Sequence, residues 1–382
     1  MEGIPVLETE DAARAAYMIY TSGTTGTPKG VRIGNAAFAA AVHSTANALG
    51  LDRATRTLCV SPFHFDGSYA NLFTTLVSGG TVVIRPRDAL MFPRTFFNTV
   101  AKENINYAGF TPSYLRLLLV SPQMEKLKDT SLGILALGGE ASSVADIESL
   151  WAHAPDIRVF NRYGPTETTI AVTNTELTSE MIEQGVVTIG HPHPGVTFAL
   201  VDDQGRVIDG TDLPGELYIG GVQLMDGYWA DPELTKSVMR DDVVPGQSLY
   251  RSGDLVYRDD RGGYVYVDRV DRVVKRNGVR ISLVELSASM SKLEDVVAAT
   301  CLTFDSGGDL AIVAFVVAKT GLSALDLRIV ASKLIPETML PDRIKFVDSM
   351  PLNRSNMLDE SRLLSEAGLR PYRPASSPSV PT

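Results

Sequence analysis

The ten residues at 21–30, TSGTTGTPKG, constrain this chain more than any other segment. A run of Gly, Ser and Thr leaves backbone N–H groups and hydroxyls free to cradle phosphate oxygens. Lys29 adds a positive charge near the end of the run. The pattern differs from the Walker A loop, which needs four residues between its glycines and then Gly-Lys-Ser/Thr. Here Pro28 precedes Lys29 and Gly30 follows it. The strand-like YMIY before the run and VRI after it flank it as a functional loop is flanked. A flexible linker is the plain alternative.

Downstream, apolar helical patterns alternate with short β-branched strands and Gly-rich turns to about residue 175. TLCVSPF (57–63), TVVIRP (81–86), INYAGFTP (105–112), GILALGGE (133–140) and IRVFNRYG (157–164) are the strand candidates. Such alternation predicts βαβ units and a mostly parallel α/β sheet. Gly or Asn tends to stand at the strand C-terminal ends, where open α/β sheets place ligands. From about Thr188 strand pairs separated by turn signals follow, among them GELYIGG and LVYRDDRGGYVYVDR, which predict a small antiparallel β-subdomain. After Asp271 a mixed α+β stretch is expected, with a hairpin-like start, helices near 283–293 and 324–334, and strands near 298–303 and 310–317. The Pro/Ser-rich tail 371–382 is expected to be disordered.

Composition narrows the function classes. With 35 Lys+Arg against 45 Asp+Glu the chain carries a formal charge of −10, which argues against a nucleic-acid partner. Cys59 and Cys301, far apart, imply no disulfide framework and fit a reducing, cytoplasmic location. No signal peptide is evident at the N-terminus, and no apolar run approaches the ~18 residues of a membrane span. His191 and His193 in GHPHPG read as a turn rather than as zinc ligands.

Six segments now stand in register: YTSGTTGTPKG (20–30), FHFDGSYANLF (63–73), NRYGPTETT (161–169), GELYIGG (215–221), YRSGDL (250–255) and YVDRVDRVVKRNGVRI (266–281). In this order they resemble the core motifs of the adenylate-forming superfamily of adenylation domains, acyl-CoA ligases and luciferases. FD at 65–66 and NRYGPTE at 161–167 are spelled as in amino-acid adenylation domains of nonribosomal peptide synthetases. The resemblance implies the adenylate-forming fold. Residues 1–271 would form a large α/β part with parallel sheets and a small β-barrel subdomain at about 188–271, and 272–370 a small α+β lid.

It also implies ATP and Mg²⁺ as cofactors, and a reaction that joins a carboxylate to the α-phosphate and expels pyrophosphate. Two anionic reactants must then be positioned and their charge neutralised. By resemblance Thr21, Ser22, Gly23, Thr24, Thr25, Gly26 and Lys29 handle the β,γ-phosphates. Thr166 reaches the α-phosphate and Glu167 ligates Mg²⁺, a hard cation that seeks oxygen. Tyr163, followed by Gly164, stacks on adenine, and Gly139, Glu140, Ala141 and Asn161 line that pocket. Asp254 accepts from the ribose hydroxyls, with Arg269 on the same edge, and Asp271 is the hinge of the lid.

For the substrate, Asp66 matches the aspartate that pairs with an amino group. A buried carboxylate is costly unless a cation meets it. Gly67, Ala70, Gly109, Ala136, Gly138, Arg162, Ile170 and Ala171 complete the pocket by resemblance. Most are small, so a roomy cavity is expected. Arg162 could clamp a second carboxylate, implying an acidic amino acid, or point to solvent or an acidic neighbour.

Two departures matter. The family segment Pro-Leu-x-x-x-Gly-Lys reads PLNRSNMLD here, with Asn356 for the glycine and Met357 for the lysine. Without that mobile cation adenylation is expected to be slowed. The phosphate loop also begins at residue 21, where the family has a domain-sized region before it. A partner protein or a second copy of the chain is therefore expected to cover the exposed faces. The leading reading is amino-acid adenylation with transfer to a carrier-protein phosphopantetheine. A weakened, nucleotide-binding scaffold and an AMP-forming amide ligase remain open.

Overall fold

The computed structural model of the protein describes residues 14–22, 28–270, 273–276, 279–307, 309–319, 322–353 and 358–372. β1 (Ala15–Ser22) and β2 (Pro28–Gly34) pair antiparallel, with Tyr20 opposite Gly30 and Ser22 opposite Pro28. Thr21 and Ser22 on one side of the run and Pro28, Lys29 and Gly30 on the other thus lie on facing antiparallel arms. The alternation of β2 buries Val31 and Ile33 and exposes Arg32.

A six-stranded sheet follows from β3 (Arg56–Cys59), β4 (Thr81–Ile84), β5 (Tyr107–Phe110), β6 (Ile134–Gly138), β7 (Arg158–Tyr163) and β8 (Thr173–Glu176), in the order β4-β3-β5-β6-β7-β8. All pairings are parallel except β7 with β8. Seven helices accompany these strands: α1 (Asn35–Leu49), α2 (Gly67–Val77), α3 (Arg87–Leu90), α4 (Pro93–Lys102), α5 (Pro112–Leu119), α6 (Val144–His153) and α7 (Ser179–Glu183). Caps fix several starts: Thr111 and Ser143 accept from the third residue of α5 and α6, and Pro stands in the first turn of α4 and α5. Leu58, Ala108, Leu135 and Val159, one from each of four neighbouring strands, pack with Phe96, Tyr114 and Ile147 from the helices in the largest core. Burying a side chain of that size stabilises by about 1.5–3 kcal/mol. Because parallel strands are covered on both faces, they read as apolar runs rather than alternations.

An antiparallel sheet comes next, from β9 (Val196–Val201), β10 (Gly215–Gly221), β12 (Met239–Arg240), β13 (Leu249–Arg258) and β14 (Tyr264–Arg269). β11 (Gly227–Tyr228) instead joins β2, and α8 (Pro232–Val238) follows it. The chain divides into two compact units between Tyr266 and Val267. The second has its own core. It holds the hairpin β15 (Val273–Arg276) and β16 (Val279–Ser282), then α9 (Leu283–Ser291), β17 (Val296–Ser306), β18 (Asp309–Ala318), α10 (Ala324–Ala331), β19 (Arg343–Phe346) and α11 (Glu360–Glu366). Among the described residues no helix is long and apolar enough to cross a membrane. Asp271, Asn356, Met357 and the tail from 373 lie outside the described residues.

Candidate active site

The parallel strands β5, β6 and β7 end on one edge of the sheet, and the expected site residues gather there. Gly109 lies beside Ala136, and Gly138 beside Arg162, in register. Gly139 leaves β6 with φ +85, a left-handed turn suited to glycine. Glu140 is already engaged beside this edge: its carboxylate accepts from the Ser113 backbone N–H (3.0 Å) and hydroxyl (2.5 Å) at the start of α5. Asn161 is buried and donates to the Thr188 carbonyl at 2.8 Å. Ala141 follows Glu140 in the same loop. Gly164 allows a close approach, because a Cβ there would stand 2.6 Å from the Ala171 Cα. Thr21 pairs with Lys29 in the hairpin, whereas Gly23, Thr24, Thr25 and Gly26 lie outside the described residues.

Asp66 is the N-cap residue of α2 but makes no capping bond. It is 5% exposed, and among the described residues its Oδ2 has no hydrogen-bond partner. Burial pushes its carboxyl up to about 6, with the Glu167 charge adding and the Thr166 hydroxyl opposing. The Tyr17 hydroxyl is also buried without a partner among the described residues, and burial first, then the Asp66 charge, raises its pKa. Two orphaned polar atoms at one place are what an incoming ammonium, with three N–H donors, can satisfy. Ala70, Ile170 and Ala171 form a small apolar cluster with Phe38 and Tyr69 partly covering it. Gly67 leaves room for Phe65, whose ring a Cβ there would meet at 2.7 Å.

Around Glu167 and Lys29 the structure brings in a residue that the sequence motifs do not include, Tyr228. The Tyr228 hydroxyl donates to the Glu167 carboxylate at 2.7 Å, and the Lys29 ammonium sits 5.3 Å from the Tyr228 ring centroid. Glu167 follows Thr166 in a single 3₁₀ turn (Thr166–Thr168), and its carbonyl accepts from Met225 N at 2.9 Å. One tyrosine thus holds an anion at its hydroxyl and a cation at its face. Burial and the Glu167 charge keep that phenol protonated. Tyr228→Phe is expected to lower kcat about tenfold, since one hydrogen bond to a charged group contributes about 1.5–3 kcal/mol and part of it is recovered by water. Steady-state exchange kinetics check this, and an unchanged kcat would count against the role. On the other flank the Tyr163 hydroxyl donates to Asp254 at 2.5 Å, and both residues belong to the first unit. Arg269 closes β14 in the second unit.

Arg162 takes neither of the courses expected for an idle residue, solvent or an acidic neighbour. It is 9% exposed, and among the described residues its side-chain hydrogen bonds go to neutral groups: Nε to Asn174 Oδ1 (3.2 Å) and one terminal nitrogen to the Tyr107 hydroxyl (2.7 Å). Tyr107 in turn donates to Asn71 Oδ1 at 3.2 Å. The expected roominess needs correction here. A Cβ on Gly109 would fall 2.2 Å from Asn71 Oδ1 and 3.2 Å from the Tyr107 hydroxyl, so polar side chains already fill that space. His193 stands at the expected turn, its carbonyl accepting from Val196 N at 3.0 Å. It is buried, bonded to Asn174 and Gln223, and its pKa is lowered by burial, with the Arg162 charge acting in the same direction. Among the described residues no cluster of three metal-ligating side chains occurs.

The turn carrying Ile170 is strained. Thr169 (φ +62) and Ile170 (φ +69) are consecutive left-handed residues without glycine. Such conformations cost about 1–3 kcal/mol each and persist where the surroundings over-determine them.

Residues 4–229 match the family model described as AMP-binding enzyme. The chain is 33% identical over 353 residues to tyrocidine synthase 3 of Brevibacillus parabrevis, covering 91% of this chain and 5% of that protein. It is 32% identical over 360 residues to a D-alanine–D-alanyl carrier protein ligase of Lacticaseibacillus casei (strain BL23), covering 92% of this chain and 70% of the ligase. A solved four-domain nonribosomal peptide synthetase bound to AMP and glycine superposes with a TM-score of 0.80 at 28% identity, over 96% of this chain and 27% of that one. The chain thus spans only a small part of the synthases it matches and 70% of the carrier protein ligase. It belongs to the AMP-binding enzyme family and has the adenylate-forming fold.

Proposed function

We propose that this member of the AMP-binding enzymes activates an amino acid as its aminoacyl-AMP and passes it to the phosphopantetheine thiol of a carrier protein. The observation that carries the reading is Asp66, a buried carboxylate with an oxygen that no described residue bonds. Such a group is costly to bury without a cation, and a substrate ammonium supplies one. The relatives support the same class, since one is a carrier protein ligase for D-alanine and another a tyrocidine synthase.

In the first step a substrate carboxylate oxygen bonds to the α-phosphorus of ATP, and the bond to the β-phosphate's bridging oxygen breaks to release pyrophosphate. Asp66 fixes the amino end. Lys29 and Thr21, paired in the hairpin, would bind the phosphates, and Thr166, whose hydroxyl bonds Asp66 and which precedes Glu167, would link the amino-acid and phosphate ends. Glu167 fits Mg²⁺: its carboxylate is half-buried and braced by Tyr228. Mg²⁺ commonly binds through one or two carboxylates, completed by phosphates and water. When bound there, the ion supplies charge neutralisation for the phosphates. In the second step the carrier thiol loses its proton, its sulfur attacks the acyl carbon, and AMP leaves.

Arg162 points to the substrate class. A guanidinium buried among neutral partners calls for an anion, so the preferred amino acid carries an acidic side chain. ATP–pyrophosphate exchange with a panel of amino acids is expected to favour aspartate, glutamate or their relatives by at least tenfold. A preference for neutral or basic amino acids would sink the acidic class. Exchange with none would sink the adenylation reading itself. Supplying the carrier protein or a free amine and identifying the product separates thioester formation from amide formation.

A further inference from the structure

The left-handed turn at Thr169 and Ile170 and the guanidinium of Arg162 are tied to each other through three side chains outside the six motifs, buried Gln223 and His193 and half-buried Asn174. Gln223, 1% exposed, stands just after β10. Its amide N–H donates to the Ala171 carbonyl at 2.7 Å and approaches the Thr168 and Thr169 carbonyls at 3.4 Å each. The Thr169 hydroxyl returns a bond to the Gln223 carbonyl at 2.7 Å. Gln223 therefore grips the strained turn by its side chain and its backbone together.

The amide oxygen of Gln223 meets His193 Nδ1 at 2.9 Å. An amide oxygen only accepts, so Nδ1 carries the proton and Nε2 holds a lone pair. Nε2 then accepts from the Asn174 amide at 2.8 Å, which also donates to the Thr45 hydroxyl at 3.1 Å. With its N–H groups spent, Asn174 presents its oxygen to Arg162 Nε. Each orientation dictates the next: Gln223 sets the histidine tautomer, the tautomer sets the amide flip of Asn174, and the flip decides whether Arg162 finds an acceptor. A chain whose every member is satisfied is rigid, and a break leaves a buried group unpaired.

We propose that Gln223, His193 and Asn174 are positioning residues that hold the Thr169–Ile170 turn and Arg162 as one unit, and so set the shape of the amino-acid pocket without touching the nucleotide. The pocket's role rests on the function proposed above, but the mechanical coupling does not. Its separation from the nucleotide side follows from the same loop. Gln223 reaches the turn, whereas Tyr228, five residues on, reaches Glu167.

The test combines hydrogen exchange at individual amides with exchange kinetics on the full chain. The amides of Thr169, Ala171 and Val172 are bonded within the turn and to Tyr163 O. In Gln223→Leu their exchange is expected to quicken at least tenfold, while KM for the amino acid rises at least tenfold and KM for ATP stays within twofold. His193→Asn keeps an N–H toward Gln223 but loses the link to Asn174. It is expected to leave the turn's amides protected while still raising the amino-acid KM. Unchanged amide exchange in Gln223→Leu overturns the coupling whether or not the chain adenylates anything. Equal rises in both KM values, with a fall in Tm, also overturn it and assign the three residues to ordinary packing. Loss of all amino-acid-dependent exchange in the parent chain, with the amide result as expected, would instead strike the function proposal and leave the coupling standing.

Discussion

Asp66→Asn is expected to remove nearly all amino-acid-dependent pyrophosphate exchange while making the fold firmer at neutral pH. Removing one partner of a desolvated charge pair costs about 2–5 kcal/mol, a rise in amino-acid KM of order 10²–10³-fold. The stability change has the opposite sign. Asp66 is raised from an ordinary value near 3.8 to about 6 by burial, so the folded chain holds its proton more tightly than the unfolded one. Folding is then helped by protonation below the unfolded value, and stability is lost as pH rises from about 4 through 6. A shift of about two units amounts to about 3 kcal/mol against the folded state above pH 6. Asparagine avoids that cost, so Tm of Asp66→Asn should exceed that of the parent by a few degrees at pH 8, and by much less at pH 4. The same titration governs binding. A neutral carboxyl cannot pair with an ammonium, so kcat/KM for the amino acid should fall about tenfold per pH unit below 6. Thermal melts at two pH values and a pH–rate profile check both signs. A variant that is inactive and also less stable at pH 8 would contradict the argument from burial.

Met357→Lys is expected to raise exchange on the order of 10²–10³-fold, the size of effect that one preorganised donor has on developing charge. Met357 occupies the place of the family lysine in PLNRSNMLD. Methionine matches lysine in length and lacks its charge, so the substitution restores a cation without adding much bulk. A gain would show that Asp66, Thr166, Glu167 and Lys29 form an otherwise competent site. A variant within twofold of the parent would show that another group already supplies the charge, or that the chemistry is limited elsewhere.

Much of the fold was legible because its signals are local. The βα alternation from 57 to 176, the antiparallel texture after 188 and the small second unit each follow from patterns a few residues long. The strands β5, β6 and β7 fall within the segments expected for them. The motif residues on the sheet edge were legible for the same reason, since Asn161, Arg162, Tyr163, Thr166 and Glu167 are neighbours in sequence. Other features were not. His193 reads as part of a turn and stands in one, yet nothing in GHPHPG says that its ring is buried between Asn174 and Gln223. The small residues Gly109 and Gly138 suggest open space. In the fold, Gly109 makes room for Asn71 and Tyr107, and Gly138 for the Arg162 stem. A glycine reports that something comes close and does not say what.

The sequence by itself therefore determined the chemistry the chain can bring. It specified a phosphate-type loop ending in a lysine, a carboxylate at 66, a Thr-Glu pair at 166 and 167, and a methionine where the lid lysine belongs. These are properties of residue type and short spacing, and they survive without coordinates. Only the tertiary structure decided which groups are left waiting and which are already engaged. It left Asp66 Oδ2 without a partner among the described residues, gave Glu167 to Tyr228 sixty-one residues away, and gave Arg162 to Tyr107 fifty-five residues back. Pairings across such separations are set by closing the sheet and stacking loops over its edge. Burial then makes each bond, or its absence, consequential, because a polar group removed from water must find its partner within the fold.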